Sequence, residues 1–228
     1  MNAEDIKPVG LKKALFITQK MRPDFVFQMA QLENNPFTFP EIQTTLSGIT
    51  VGGHKISDQN QVLNIATGWQ EIIRQVANQQ FILDKENFIH LNTIVAKDEA
   101  LEVGGFRSGQ VGISGTNYRP PQAGAPLQAA FEAMLENYHQ TDSIADKAFG
   151  LFLDAARAQF FYDGNKRTGQ FMMSGVLMSH EFAPVVIFAD ILHEYNQRML
   201  AFYETGNKLD MMDVLREQYQ RIYQNFAD

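Results

Sequence analysis

The chain has 228 residues, 45% hydrophobic and 20% charged, which is the balance of a globular protein and excludes a disordered one. A net charge of −7 argues against a general nucleic-acid binder, which carries a basic face, although a local phosphate site needs only a few donors. The absence of cysteine excludes disulfides, thiol chemistry and thiolate metal sites, and no stretch approaches the ~20 apolar residues of a membrane span.

The segment Met1 to Lys13 has no apolar run of signal-peptide length and starts with methionine, so a cytoplasmic location is expected. From there helical periodicity dominates. Residues 14–47 read as two helices around the breaker Asn34-Asn35-Pro36. From Ser57 to about Gln80, Val62, Ile65, Ala66, Trp69, Ile72, Ile73 and Val76 form one stripe of a long helix, with Ser57 as the expected N-cap and Asp58 in the first turn. A shorter helix, 85–97, carries Phe88, Ile89, Leu91, Ile94 and Val95.

The pattern changes over 104–121, where Gly104, Gly105, Gly109, Gly112 and Gly115 surround the alternating Val111 and Ile113 before Pro120-Pro121. Glycine-rich alternation of this kind predicts a β-hairpin or flap. Helices are then expected over 127–138, 143–160, 166–181, 189–204 and 210–225, the last with Met212, Leu215, Tyr219, Ile222 and Phe226 on one face. With no linker, repeat or low-complexity tract, the chain reads as one mainly helical domain over 57–228 with an N-terminal helical extension over 1–56.

Several chemistries lack their motifs: no G-x-x-x-x-G-K-[ST], no H-E-x-x-H and no G-x-S-x-G occur, and the five histidines show no metal-ligand spacing. The informative stretch is Gln159-Phe160-Phe161-Tyr162-Asp163-Gly164-Asn165-Lys166-Arg167-Thr168-Gly169-Gln170. It describes a helix that ends, an Asp-Gly-Asn turn and a second helix that opens with two cations. Free amides at a helix start, with the positive end of its dipole, form an anion cradle. Lys166 and Arg167 add charge, and Asp163 stands where a carboxylate could hold Mg²⁺ bridging to phosphate. The same turn also reads as a plain helix–turn–helix corner in which Asp and Asn only cap the chain. Two cations at a helix N-terminus count against that reading, because they oppose the dipole unless an anion binds.

This stretch resembles the Fic signature, H-x-F-x-[DE]-G-N-G-R-x-x-R, with Phe161, Asp163, Gly164, Asn165 and Arg167 in register and the Asn-Lys-Arg variant of the Doc-type branch. The run Gly105-Phe106-Arg107 through Val111, Ile113, Ser114, Gly115, Tyr118 and Pro120-Pro121 is similar to that family's flap. Leu46-Ser47-Gly48-Ile49 is similar to its inhibitory helix. The resemblance implies a helical Fic fold with a β-hairpin flap, a Fic-type core over 57–228, and transfer of AMP from ATP or another nucleotide to a hydroxyl side chain of a protein. It implies Asp163 as the Mg²⁺ ligand, Gly164, Asn165 and Lys166 as the cradle, and Arg167 as a phosphate ligand. It also implies Val111, Ile113, Ser114 and Gly115 as the docking edge for an extended target segment. Relatives often pair, so a homodimer is a further expectation, whereas neither nucleic acid nor membrane is an expected partner.

Three positions depart from the pattern. Gln159 replaces the general-base histidine; an amide can orient a hydroxyl but has essentially no basicity. The loss of a positioned base costs about 10²–10⁴-fold in rate. Gln159 reads equally as a buried amide bonded to the turn, so a non-catalytic nucleotide-binding or interaction module stays open beside the transferase. Gln170 replaces the final arginine, as in Doc-like members, some of which transfer phosphate, so the reaction type stays open. Ser47 stands at the inhibitory position in place of glutamate, which predicts that the intramolecular brake is absent; Ser47-Gly48 reads equally as a helix C-terminus.

Overall fold

The computed structural model describes residues 6–224 and 226, and their regular structure is entirely helical. Helices α1 (Leu11–Leu32) and α2 (Phe39–Leu46) flank the Asn34-Asn35-Pro36 breaker. They are followed by α3 (Ile56–Ala77), α4 (Lys85–Val95), α5 (Ala125–Gln140), α6 (Ile144–Ala158), α7 (Asn165–Ser179), α8 (Leu192–Thr205) and α9 (Leu209–Gln224). A short 3₁₀ turn, Ala189–Ile191, precedes α8, so the periodicity expected from Ala189 begins as a tighter coil. The start of α3 lies one residue before the expected cap, with Lys55 at the N-cap and its amide 3.4 Å from the Asp58 carboxylate. The expectations for residues 1–5 and for Asn225 lie outside the described residues.

The burial pattern sets the layering. Helix α7 is buried on almost every face, from Arg167 to Met178, and packs against α1, α3, α4 and α6. Helices that carry a single apolar stripe form the outer layer, whereas α7 is buried all round and holds the polar Arg167, Thr168, Gln170 and Ser174 inside as well. Trp69 of α3 is fully buried between Phe25 of α1, at 5.1 Å between ring centroids, and Phe171 of α7, at 5.2 Å. The N-terminal helix α1 therefore shares the core with the rest of the chain, through Ile17, Phe25, Val26 and Met29. Close packing of α3 on α7 requires Gly68, since a Cβ there would stand 2.7 Å from the Phe171 ring.

The 104–121 segment forms no strand among the described residues, which corrects the expected β-hairpin. No neighbouring strand offers it a ladder, so side chains satisfy its backbone. Buried Arg107 donates to the carbonyls of Gly109 (2.7 Å), Pro121 and Gln159 (2.6 Å), clipping both ends of the loop to the end of α6. At the tip, the Glu204 carboxylate accepts from the Thr116 hydroxyl (2.5 Å) and the Asn117 amide (2.6 Å), which ties the loop to α8. Phe106 anchors the base by stacking on Phe160 at 4.9 Å, beside Phe131. A loop held by its ends and its tip presents its middle to the space between α7 and α8.

Candidate active site

Helix α6 ends because Gln159 turns left-handed, with φ 51° and ψ 62°. Its amide is fixed on both sides: Nε2 donates to the Ala156 carbonyl at 2.6 Å and Oε1 accepts from Asn165 Nδ2 at 3.1 Å. Asn165 closes the turn by pairing with both backbone groups of Phe161, accepting from its N–H and donating to its carbonyl, each at 2.9 Å. Gly164 takes φ 73°, and a Cβ there would meet the Ala96 methyl at 3.0 Å, so both the angle and the space require glycine. From α4, Asn92 donates to the Asp163 carbonyl at 2.9 Å and clamps the turn from below.

The opening of α7 has no side-chain cap. The first amides of a helix have no intrahelical partner, and Asn165 and Lys166, which open this one, line a cavity of about 680 Å³. The turn contributes Gln159 and residues 162–166 to its wall, the loop contributes Gly112, Ile113 and Ser114, and α8 contributes Asn196, Met199, Leu200 and Tyr203. Glu33 and Asn34, at the end of α1, complete it. Asn34 and Gln159 both hold positive φ (59° and 51°), so two sterically disfavoured non-glycine residues sit on one cavity wall. Burial, joined by the charge of Glu33, raises the Tyr203 phenol above its ordinary value and keeps it protonated.

The expected site residues fall into three groups. Gln159, Asp163, Gly164, Asn165, Lys166, Ile113 and Ser114 line the cavity as a set. Val111 and Gly115 belong to the same loop but lie outside that lining; Gly115 packs toward Leu200 instead, where a Cβ would stand 3.2 Å away. Arg167, Gln170 and Ser47 are elsewhere. The Arg167 side chain is 2% exposed, and its guanidinium donates to both oxygens of Glu99 (2.5 and 3.1 Å), the Val95 carbonyl (2.9 Å) and Asp163 Oδ1 (3.2 Å). Burial alone would lower its pKa, yet the Glu99 hydrogen bond and the charges of Glu33, Glu99 and Asp163 outweigh burial and hold it above its ordinary value. Gln170 is buried with its Oε1 unpartnered, outside the cavity lining. Ser47 caps the exposed end of α2, where its hydroxyl donates to the Thr44 carbonyl at 2.7 Å.

Glu33, not Ser47, brings a carboxylate to the cradle, with its Oε1 3.4 Å from Lys166 Nζ. The chain signals this by placing Glu33 directly before the Asn34-Asn35-Pro36 breaker, where the end of α1 turns toward α7. Asp163 is half exposed; its Oδ1 accepts from the Gly164 amide at 2.5 Å and from Arg167, and Oδ2 takes no hydrogen bond among the described residues. No group of three or more His, Asp or Glu side chains able to hold a metal occurs among the described residues. A single open carboxylate beside an anion cradle suits Mg²⁺, which is held through one or two carboxylates, phosphate oxygens and water and does not need a protein cage.

Residues 82–177 match the model of the Fic/DOC family, and this interval contains both the loop and the turn. The chain therefore carries a Fic domain over these residues. The chain is 25% identical over 196 residues to the "Protein adenylyltransferase Fic" of Drosophila mojavensis, covering 84% of this chain and 38% of that protein. The protein of the same name from Culex quinquefasciatus is 24% identical over 218 residues, covering 91% and 41%. The chain thus spans about two-fifths of the length of these curated relatives. Among solved structures, Fic-1 from C. elegans superposes with a TM-score of 0.76 at 14% identity, covering 95% of this chain and 72% of that one. A Fic domain-containing signaling protein from Bacteroides thetaiotaomicron gives 0.74 at 18%, covering 97% and 91%. At these identities the superpositions establish the Fic fold. No helix of the described residues is long and apolar enough to cross a membrane.

Proposed function

We propose that this Fic domain binds a nucleotide with its phosphates on the amides of Asn165 to Arg167 and acts as a slow transferase of AMP to a hydroxyl side chain of a protein. The observation that supports this most is the uncapped start of α7, opening on a cavity beside Lys166 and the free Oδ2 of Asp163. An anion placed there meets several donors and a helix dipole at once. Met199, Leu200, Tyr203 and Ile113 offer apolar surface for a base on the far side of the cavity. A magnesium ion on Asp163 would neutralise phosphate charge. Glu33 must give up Lys166 for a phosphate to take its place.

In AMP transfer the target oxygen bonds to the α-phosphorus as the bond to the bridging oxygen breaks, pyrophosphate leaves and the hydroxyl proton passes to water. Gln159 cannot take that proton, and its amide is occupied by Ala156 and Asn165. Its part is to hold Asn165 and so the shape of the cradle. The middle of the loop, at Ile113 and Ser114, is where an extended target segment would lie. Phosphate transfer by the same cradle is the alternative chemistry.

A second reading, nucleotide binding without transfer, draws on the same fixed amide. Labelled ATP with Mg²⁺ and a protein extract separates them. The transferase reading expects weak labelling that Gln159→His raises about 10²–10⁴-fold. Binding of ATP in calorimetry with no labelling by either form would leave only the binding module, and no binding at millimolar nucleotide would end both.

A further inference from the structure

Glu99 lies outside the cavity lining, 64 residues before Asp163 in the chain (163 − 99), yet the two carboxylates share one buried cation. Arg167 gives Glu99 two bonds, at 2.5 and 3.1 Å, and gives Asp163 a single longer one at 3.2 Å. Glu99 is itself held from behind. Gln61 Nε2 donates to its Oε2 at 2.8 Å, and the Gln61 carbonyl oxygen accepts from buried Asn35 at 2.9 Å. A continuous chain of hydrogen bonds therefore runs from Asn35 through Gln61, Glu99 and Arg167 to Asp163.

We infer that Glu99 is a positioning residue for Asp163: by taking most of the Arg167 charge, it leaves the Asp163 carboxylate free to face a divalent cation in the cavity. This rests on the nucleotide–magnesium reading above. The physical reason is competition for one cation in a place of low dielectric. With Glu99 charged and held by Gln61, the guanidinium is already compensated, so Asp163 keeps Oδ2 open. With Glu99 neutral, Asp163 becomes the one carboxylate still hydrogen-bonded to Arg167 among the described residues, and two effects then act in the same direction. Asp163 is drawn toward the arginine, and one negative charge near the cation is lost. Residues that hold a metal ligand from behind typically change metal affinity by about 10–100-fold when altered.

The same argument gives the opposite sign for a bare anion. An uncompensated Arg167 beneath the cradle attracts free nucleotide, so metal-free binding stays level or tightens. A packing role for the ion pair does not produce that opposition; it weakens both forms together.

The test is calorimetric titration of a non-hydrolysable ATP analogue, with Mg²⁺ and with chelator, on the wild type, Glu99→Gln and Glu99→Asp, with thermal unfolding of each. For Glu99→Gln we expect the affinity gain given by Mg²⁺ to fall about tenfold, with metal-free affinity unchanged or higher. Glu99→Asp, which keeps the charge, should retain most of the gain. Gln61→Ala, which leaves the ion pair in place, should shift the gain the same way by a smaller factor, and it serves as the probe if Glu99→Gln does not fold. An unchanged gain in both Glu99→Gln and Gln61→Ala, or a parallel loss of both affinities, overturns the inference and leaves the functional reading intact. A wild type that binds the analogue in neither condition overturns the functional reading and this inference with it.

Discussion

Lys166 and Arg167 are consecutive cations at the start of one helix, and the structure treats them in opposite ways. The Arg167 side chain is 2% exposed and spends its donors on Glu99, Val95 and Asp163, whereas that of Lys166 is 29% exposed, lines the cavity and holds only Glu33 at 3.4 Å. Successive helical residues point about 100° apart, so one side chain faces α4 and the other faces the cavity. The difference teaches that charge at a helix N-terminus is not one property. The inner cation fixes the turn, and the outer one is available to a ligand.

The largest effect expected from this contrast is on stability. Arg167→Met leaves Glu99 without its cation and should destabilise the chain by about 3 kcal/mol, read from urea unfolding. Lys166→Met should stay within about 0.5 kcal/mol in the same assay, since a partly exposed pair is worth little. Equal losses would erase the distinction between the two faces. Next in size, Gly164→Ala forces a methyl against Ala96 at positive φ, for a loss of about 1–3 kcal/mol, and a neutral result would show that the turn is less tightly held than its contacts indicate. On the outer face, Lys166→Met should weaken ATP binding about tenfold by calorimetry, with the deficit shrinking in high salt. Smallest is Glu33→Gln, which frees Lys166 and should tighten the nucleotide by about threefold. Looser binding would instead make Glu33 part of the ligand site.

Much of the fold was legible because helical periodicity is local. Trp69, Ile72 and Val76 place α3 from sequence alone, and the Asp163-Gly164-Asn165 run marks the turn that Asn165 closes on Phe161. The segment 104–121 forms a loop and not the expected hairpin because the alternation of Val111 and Ile113 is necessary for a hairpin but not sufficient; a strand also needs a partner edge, and Arg107 and Glu204 supply the contacts instead. The likeness of Leu46-Ser47-Gly48-Ile49 to an inhibitory helix points to Ser47 as the inhibitory position, whereas the chain path brings the end of α1 to the cradle and carries Glu33 with it.

From the sequence alone came the helices, their order, the turn chemistry and an amide at Gln159, since each depends on residues within a few positions of one another. Only the tertiary structure decided which cation is buried and which lines the cavity, because Arg167 meets a Glu99 that lies 68 residues away and Lys166 meets a Glu33 at the end of a different helix. Pairings of that kind follow the path of the chain through space, and hydrophobic packing of α1, α3 and α4 around α7 sets that path.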